Sequence, residues 1–71
     1  MLNNYNEMIV MYYITIEALK KYIKKNKKRP NEKEWNRYAI ENHCLCSESI
    51  GYLCGIGFNK LCRKLIKEIK K

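Results

Sequence analysis

The chain has 71 residues, room for one small domain and not for two cores. Fifteen Lys and Arg stand against seven Glu and no Asp, a formal charge of +8, and 46% hydrophobic residues exclude a disordered basic tail. A single His and no Asp leave little material for catalysis, so no enzyme is expected and a binding module for an anion leads.

The first residues, Met1-Leu2-Asn3-Asn4-Tyr5-Asn6-Glu7, lack the basic stretch of a secretory signal. The most apolar run, residues 8–16, is nine residues long. Spanning a bilayer takes roughly 20, so no membrane segment is expected. The four cysteines are then expected in a reducing cytoplasm as free thiols packing as small hydrophobes. The excess of Lys, Asn, Ile and Tyr fits an AT-rich bacterial or phage genome.

Leu2, Tyr5, Ile9, Tyr12, Ile16, Leu19 and Ile23 recur at alternating spacings of 3 and 4, which predicts a long first helix. Met8, Met11 and Tyr13 widen its apolar stripe. Residues 9–16 also have the β-branched and aromatic composition of a strand, so a break near Ile14 and Thr15 stays open. The surplus apolar surface of residues 8–14 suits an N-terminal dimer contact or the central core helix of a small domain. The helix should end near Asn26, before Pro30, with lysines at its negative end.

Asn31 followed by Glu34 is a capping-box pattern opening a second helix, with Trp35, Tyr38 and Ala39 on one face. That helix should finish at Asn42 and His43, with a turn over residues 43–46. Ser47 is expected to cap a short third helix that turns Ile50 and Leu53 inward. After the break at Gly55-Ile56-Gly57, a fourth helix carries Phe58, Leu61, Leu65, Ile66 and Ile69 on one side. Its other side carries Lys60, Arg63, Lys64, Lys67, Lys70 and Lys71.

The expected fold is therefore all-α: a small domain of three to four helices, residues 1–71, with a long N-terminal helix and residues 1–14 as a dimerisation extension. Its expected core is Ile16, Leu19, Ile23, Trp35, Tyr38, Ala39, Ile50, Leu53, Phe58, Leu61, Leu65 and Ile69. Residues 31–53 have the spacing of a helix-turn-helix, in which the second helix offers short polar side chains to base edges. On that reading Ser47, Glu48, Ser49 and Tyr52 face outward as base contacts, and Gly51 permits close approach to a groove. Phosphate contacts are expected from Lys28, Arg29, Lys33, Arg37, Lys60, Arg63, Lys64 and Lys67. Twelve lysines against three arginines suit backbone contact better than bidentate base readout.

Four stretches carry a family resemblance: Ile16-Glu17-Ala18-Leu19-Lys20-Lys21-Tyr22-Ile23, Arg29-Pro30-Asn31-Glu32-Lys33-Glu34-Trp35-Asn36-Arg37-Tyr38-Ala39, Ser49-Ile50 and Gly57-Phe58-Asn59-Lys60-Leu61. Together, over residues 16–66, they resemble the helical DNA-binding repeat associated with HNH homing endonucleases. The resemblance implies a helix-turn-helix-type module whose short third helix reads DNA. Gly-Phe-Asn replaces the usual Gly-Ser-Trp-Asn, the cysteines are not part of the pattern, and no nuclease motif is present.

Cys44, Cys46, Cys54 and Cys62, with His43, have the ligand types of a zinc site but not the paired spacing of common zinc modules. Neither a metal nor a cofactor is expected, and His43 beside Cys44 lacks an orienting Asp for nucleophilic catalysis. The expected function is that of a small duplex-DNA-binding regulator from a bacterium, phage or mobile element, with homodimerisation through the first helix. No membrane or small-molecule partner is expected. The competing class is an adaptor that binds an acidic protein, such as a polymerase, recombinase or regulatory factor, through the same basic surface.

Overall fold

A computed structural model describes residues 4–70, with side chains from residue 7 onward. Four helices follow one another: α1 (Asn4–Asn26), α2 (Glu32–Asn42), α3 (Ser47–Cys54) and α4 (Phe58–Ile69). The described residues contain no strand. Leu2, the side chain of Tyr5 and Lys71, all assigned to helical stripes above, lie outside the described residues.

Helix α1 runs unbroken through Ile14 and Thr15 for 23 residues. At 1.5 Å per residue it is about 34 Å long, most of the molecule's 40 Å long axis. The strand-like composition of residues 9–16 is overridden because the helical spacing aims Thr15, Leu19 and Ile23 at one core. Thr15 is fully buried, and its hydroxyl accepts the N–H of Leu45 at 3.0 Å, which fastens the turn after α2 to α1. The start of α1 overhangs the globule: Met8, Ile9, Val10, Tyr13 and Ile14 are exposed and do not form the central core. At the other end the Asn26 amide donates to the carbonyl of Tyr22, and Lys27 takes a left-handed φ of 61° that ends the helix.

The capping box predicted for α2 is present. Asn31 Oδ1 accepts from the Glu34 N–H at 2.7 Å, and the Glu34 carboxylate accepts from the Asn31 N–H at 3.0 Å. His43 closes the helix in the left-handed region at φ 55°. Trp35 is fully buried; it meets Tyr22 of α1 edge-on, stacks with Tyr38 and Phe58, and donates its indole N–H to the Leu45 carbonyl. One side chain thus joins three helices and the turn.

The inward face of α3 differs from expectation. Ser47, Ile50 and Gly51 are buried, with Cys54 packed beside them: a stripe at i, i+3, i+4 and i+7. Leu53, expected in the core, falls off this stripe and is half-buried outside the packed cluster. Cys46, not Ser47, is the N-cap residue. Gly51 touches the start of α4: a Cβ there would sit 2.9 Å from the Phe58 nitrogen. Its carbonyl also accepts the N–H groups of Gly55 and Gly57. The missing side chain therefore serves the α3–α4 corner and is not free to approach a groove in DNA. Gly55 and Gly57 make that corner at φ 80° and 87°.

The buried core is Leu19, Ile23, Trp35, Ala39, Ile50, Phe58, Leu61, Cys62 and Leu65, ringed by half-buried Ile16, Tyr38 and Ile69 among others. Tyr12, Ile16 and Lys20 border the same groove as Leu61, Leu65 and Glu68, while Ile23 and Lys24 border one with Ile66 and Ile69. Helices α1 and α4 therefore run side by side in the same direction. No helix among the described residues is long and apolar enough to cross a membrane.

Candidate nucleic-acid interface

Helix α4 divides its residues sharply. Phe58, Leu61, Cys62 and Leu65 are buried, while Lys60, Arg63, Lys64 and Lys67 are exposed on the opposite side. From Lys60 to Lys67 the row extends about 10 Å along the helix. Among the described residues the one ion pair joins Lys20 to Glu17 at 3.6 Å, so no described carboxylate lies at ion-pair distance from this row.

The remaining cations on the expected phosphate list do not join it. Lys28 and Arg29 follow α1 and are exposed. Lys33 and Arg37 border a separate groove on α2 with Tyr22, Tyr38, Glu34 and Glu41. Carboxylates border the cations of both sites: Glu34 and Glu41 share the groove of Arg37, Glu68 shares one with Lys64, and Glu32 and Glu48 share one with Lys60.

Helix α3 presents Glu48, Ser49 and Tyr52 to solvent, and Tyr52 is 84% exposed. Ser47 does not join them, since it is only 1% exposed. Its N–H donates to Asn36 Oδ1 at 2.7 Å, and its hydroxyl lies 3.4 Å from the Glu32 carboxylate. The start of α3 lacks a cap side chain of its own, so Asn36 on α2 satisfies one of its free N–H groups. Asn36 was absent from the sequence-derived site; only the fold brings it to Ser47, eleven positions away. The exposed face of α3 carries no Lys or Arg. A groove beside it gathers Glu32, Glu48, Tyr52, Asn59 and Lys60, which sets one cation of the α4 row next to α3.

The four cysteines are free thiols in distinct settings. Cys62 is fully buried, and burial pushes its thiol up to about 11. Burial likewise raises Cys44. Cys46 is lowered by hydrogen bonding to Ser49, whose hydroxyl is 3.4 Å from its sulfur. Among the described residues no three His, Cys, Asp or Glu side chains are placed to hold a metal ion. Comparison with protein-family models, with curated proteins and with solved structures finds no match for this chain.

Proposed function

We propose that the chain is a small duplex-DNA-binding protein that anchors on phosphates through α4. The observation that carries this reading is the unpaired row Lys60, Arg63, Lys64 and Lys67 on a helix whose other face is locked in the core. Such a row is held in place without ordering a loop, and it releases counterions when phosphates replace them. Lys28 and Arg29 add charge at the end of α1. Helix α3 stands beside Lys60 and offers Glu48, Ser49 and Tyr52 to base edges, with Ser47 withdrawn into the α2–α3 contact. This is a helix-turn-helix-type docking, as the resemblance to the endonuclease-associated repeats also implies. Because the exposed α3 face lacks Lys and Arg, phosphate contact supplies most of the affinity and base readout a modest selectivity.

The exposed apolar overhang Met8, Ile9, Val10, Tyr13 and Ile14 supports a homodimer joined through α1, which would offer two α3 helices to two half-sites. A regulator carried by a bacterium, phage or mobile element fits such a molecule. The test is selection of the purified protein on a randomised duplex library near physiological salt, followed by a salt titration on the enriched sequences. A modest enriched motif is expected, palindromic for a dimer. The slope of log affinity against log salt should be about −3 to −4 for four phosphate contacts. Retention without enrichment would remove base readout by α3, and no retention would remove DNA as the partner.

A further inference from the structure

Away from α3, the C-terminal ends of α1 and α4 enclose a groove of about 510 Å³. That is within the usual size range of ligand clefts. Its floor is Ile23, Ile66 and Ile69, and its rim is Lys24, Lys27, Lys28 and Lys70. Among the described residues no carboxylate side chain borders it.

Lysines near helix C-termini have an ordinary explanation, since they offset the negative end of the helix dipole. Here two helix ends meet, each equivalent to roughly half a negative charge. They account for about one of the four lysines. A large positive excess remains around an apolar floor. Phosphate alone gains nothing from the isoleucines, and an apolar partner gains nothing from the lysines. The complementary ligand has both characters, with aliphatic side chains on one side and carboxylates flanking them.

We infer that this groove is a docking site for an acidic amphipathic helix of a partner protein. Leucine-like residues at i, i+4 and i+7 would enter between α1 and α4. Glutamates or aspartates on either side would meet Lys24, Lys27, Lys28 and Lys70. A second copy of this chain is a poor occupant, because it brings a charge of +8 and its exposed apolar overhang is flanked by just two glutamates, Glu7 and Glu17, the second already paired with Lys20. A bilayer is a poor occupant too, because the floor is recessed between two helix ends and an acyl chain would have to leave the membrane to reach it. The site lies outside the α3 and α4 faces assigned to DNA, apart from Lys28 on its rim, so it stands or falls independently of that assignment.

The test uses the full chain and a fluorescein-labelled synthetic peptide with leucines at i, i+4 and i+7 and glutamates between them. A scrambled peptide of the same composition is the control. Saturable binding in the micromolar range is expected for the patterned peptide alone. Lys24→Gln combined with Lys70→Gln should weaken it by about tenfold. Lys64→Gln with Lys67→Gln, on the far face of α4, should change it by less than about twofold. All four positions are exposed, so folding is preserved. Absence of peptide binding would overturn the inference. So would equal binding of the scrambled peptide, or loss through Lys64 and Lys67 instead of Lys24 and Lys70. Sedimentation of the protein with phosphatidylglycerol vesicles, without peptide binding, would overturn it in favour of a lipid.

Discussion

Helices α3 and α4 are neighbours joined by a two-glycine corner, yet they use their residues in opposite ways. On α4 the large apolar side chains go in and the cations go out, so its surface follows its sequence pattern. On α3 the inward stripe holds one large apolar residue, Ile50, and three small ones, Ser47, Gly51 and Cys54, of which Ser47 ordinarily reads as surface. The physical reason is proximity. Helix α3 is wedged against the start of α4 at Gly51 and against α2 at Ser47, where there is no room for large side chains. A helix at a distance from its neighbours selects for hydrophobic bulk, and a helix in close contact selects for absence of bulk.

The sharpest way to break this comparison is to change the α4 row without touching its core face. Lys64→Glu with Lys67→Glu should weaken binding to all DNA sequences by about a hundredfold at low salt, measured by fluorescence anisotropy, with the melting temperature little changed. An unchanged affinity would remove α4 as the anchor. A buried group on the core face of the same helix gives the next largest effect. The Cys62 thiol is raised in the folded state, so its stabilising contribution is complete below the ordinary thiol value of 9.0 and is lost as pH rises through about 11. Denaturant unfolding between those pH values should show a fall of about 2–3 kcal/mol. Cys62→Ala should flatten that slope, leaving the part due to Tyr12 and Tyr22, which burial also raises.

The packing side of the comparison is read at Gly51. Gly51→Ala forces its Cβ into the backbone of Phe58 and should cost about 1–3 kcal/mol in chemical unfolding. If the variant is as stable as the parent, the close α3–α4 contact is not what excludes a side chain. The outward face of α3 should give the smallest effects. Tyr52→Ala should alter which sequences a randomised library returns, by about 1 kcal/mol of discrimination at one position, and Ser49→Ala by less. Neither should change the salt slope. Thiol labelling compares the start of α3 with the core face of α4: Cys46, half-buried with a lowered thiol, should react well before buried Cys62.

The sequence by itself determined the four helices, the capping box at Asn31 and Glu34, the stop at His43, the role of Trp35 and the basic row of α4. These follow from spacing, from caps a few residues long and from large side chains that have only one place to go. Tertiary structure alone decided the inward face of α3, the burial of Thr15 under Leu45, the exposure of Met8, Ile9, Val10, Tyr13 and Ile14, and the grooves beside Arg37 and at the helix ends. Each of these depends on which element lies opposite. A serine, threonine or glycine has no strong preference for core or surface until a neighbouring backbone supplies a hydrogen bond or removes the space. Whether a lysine stands free or beside a carboxylate is likewise set by a helix distant in sequence.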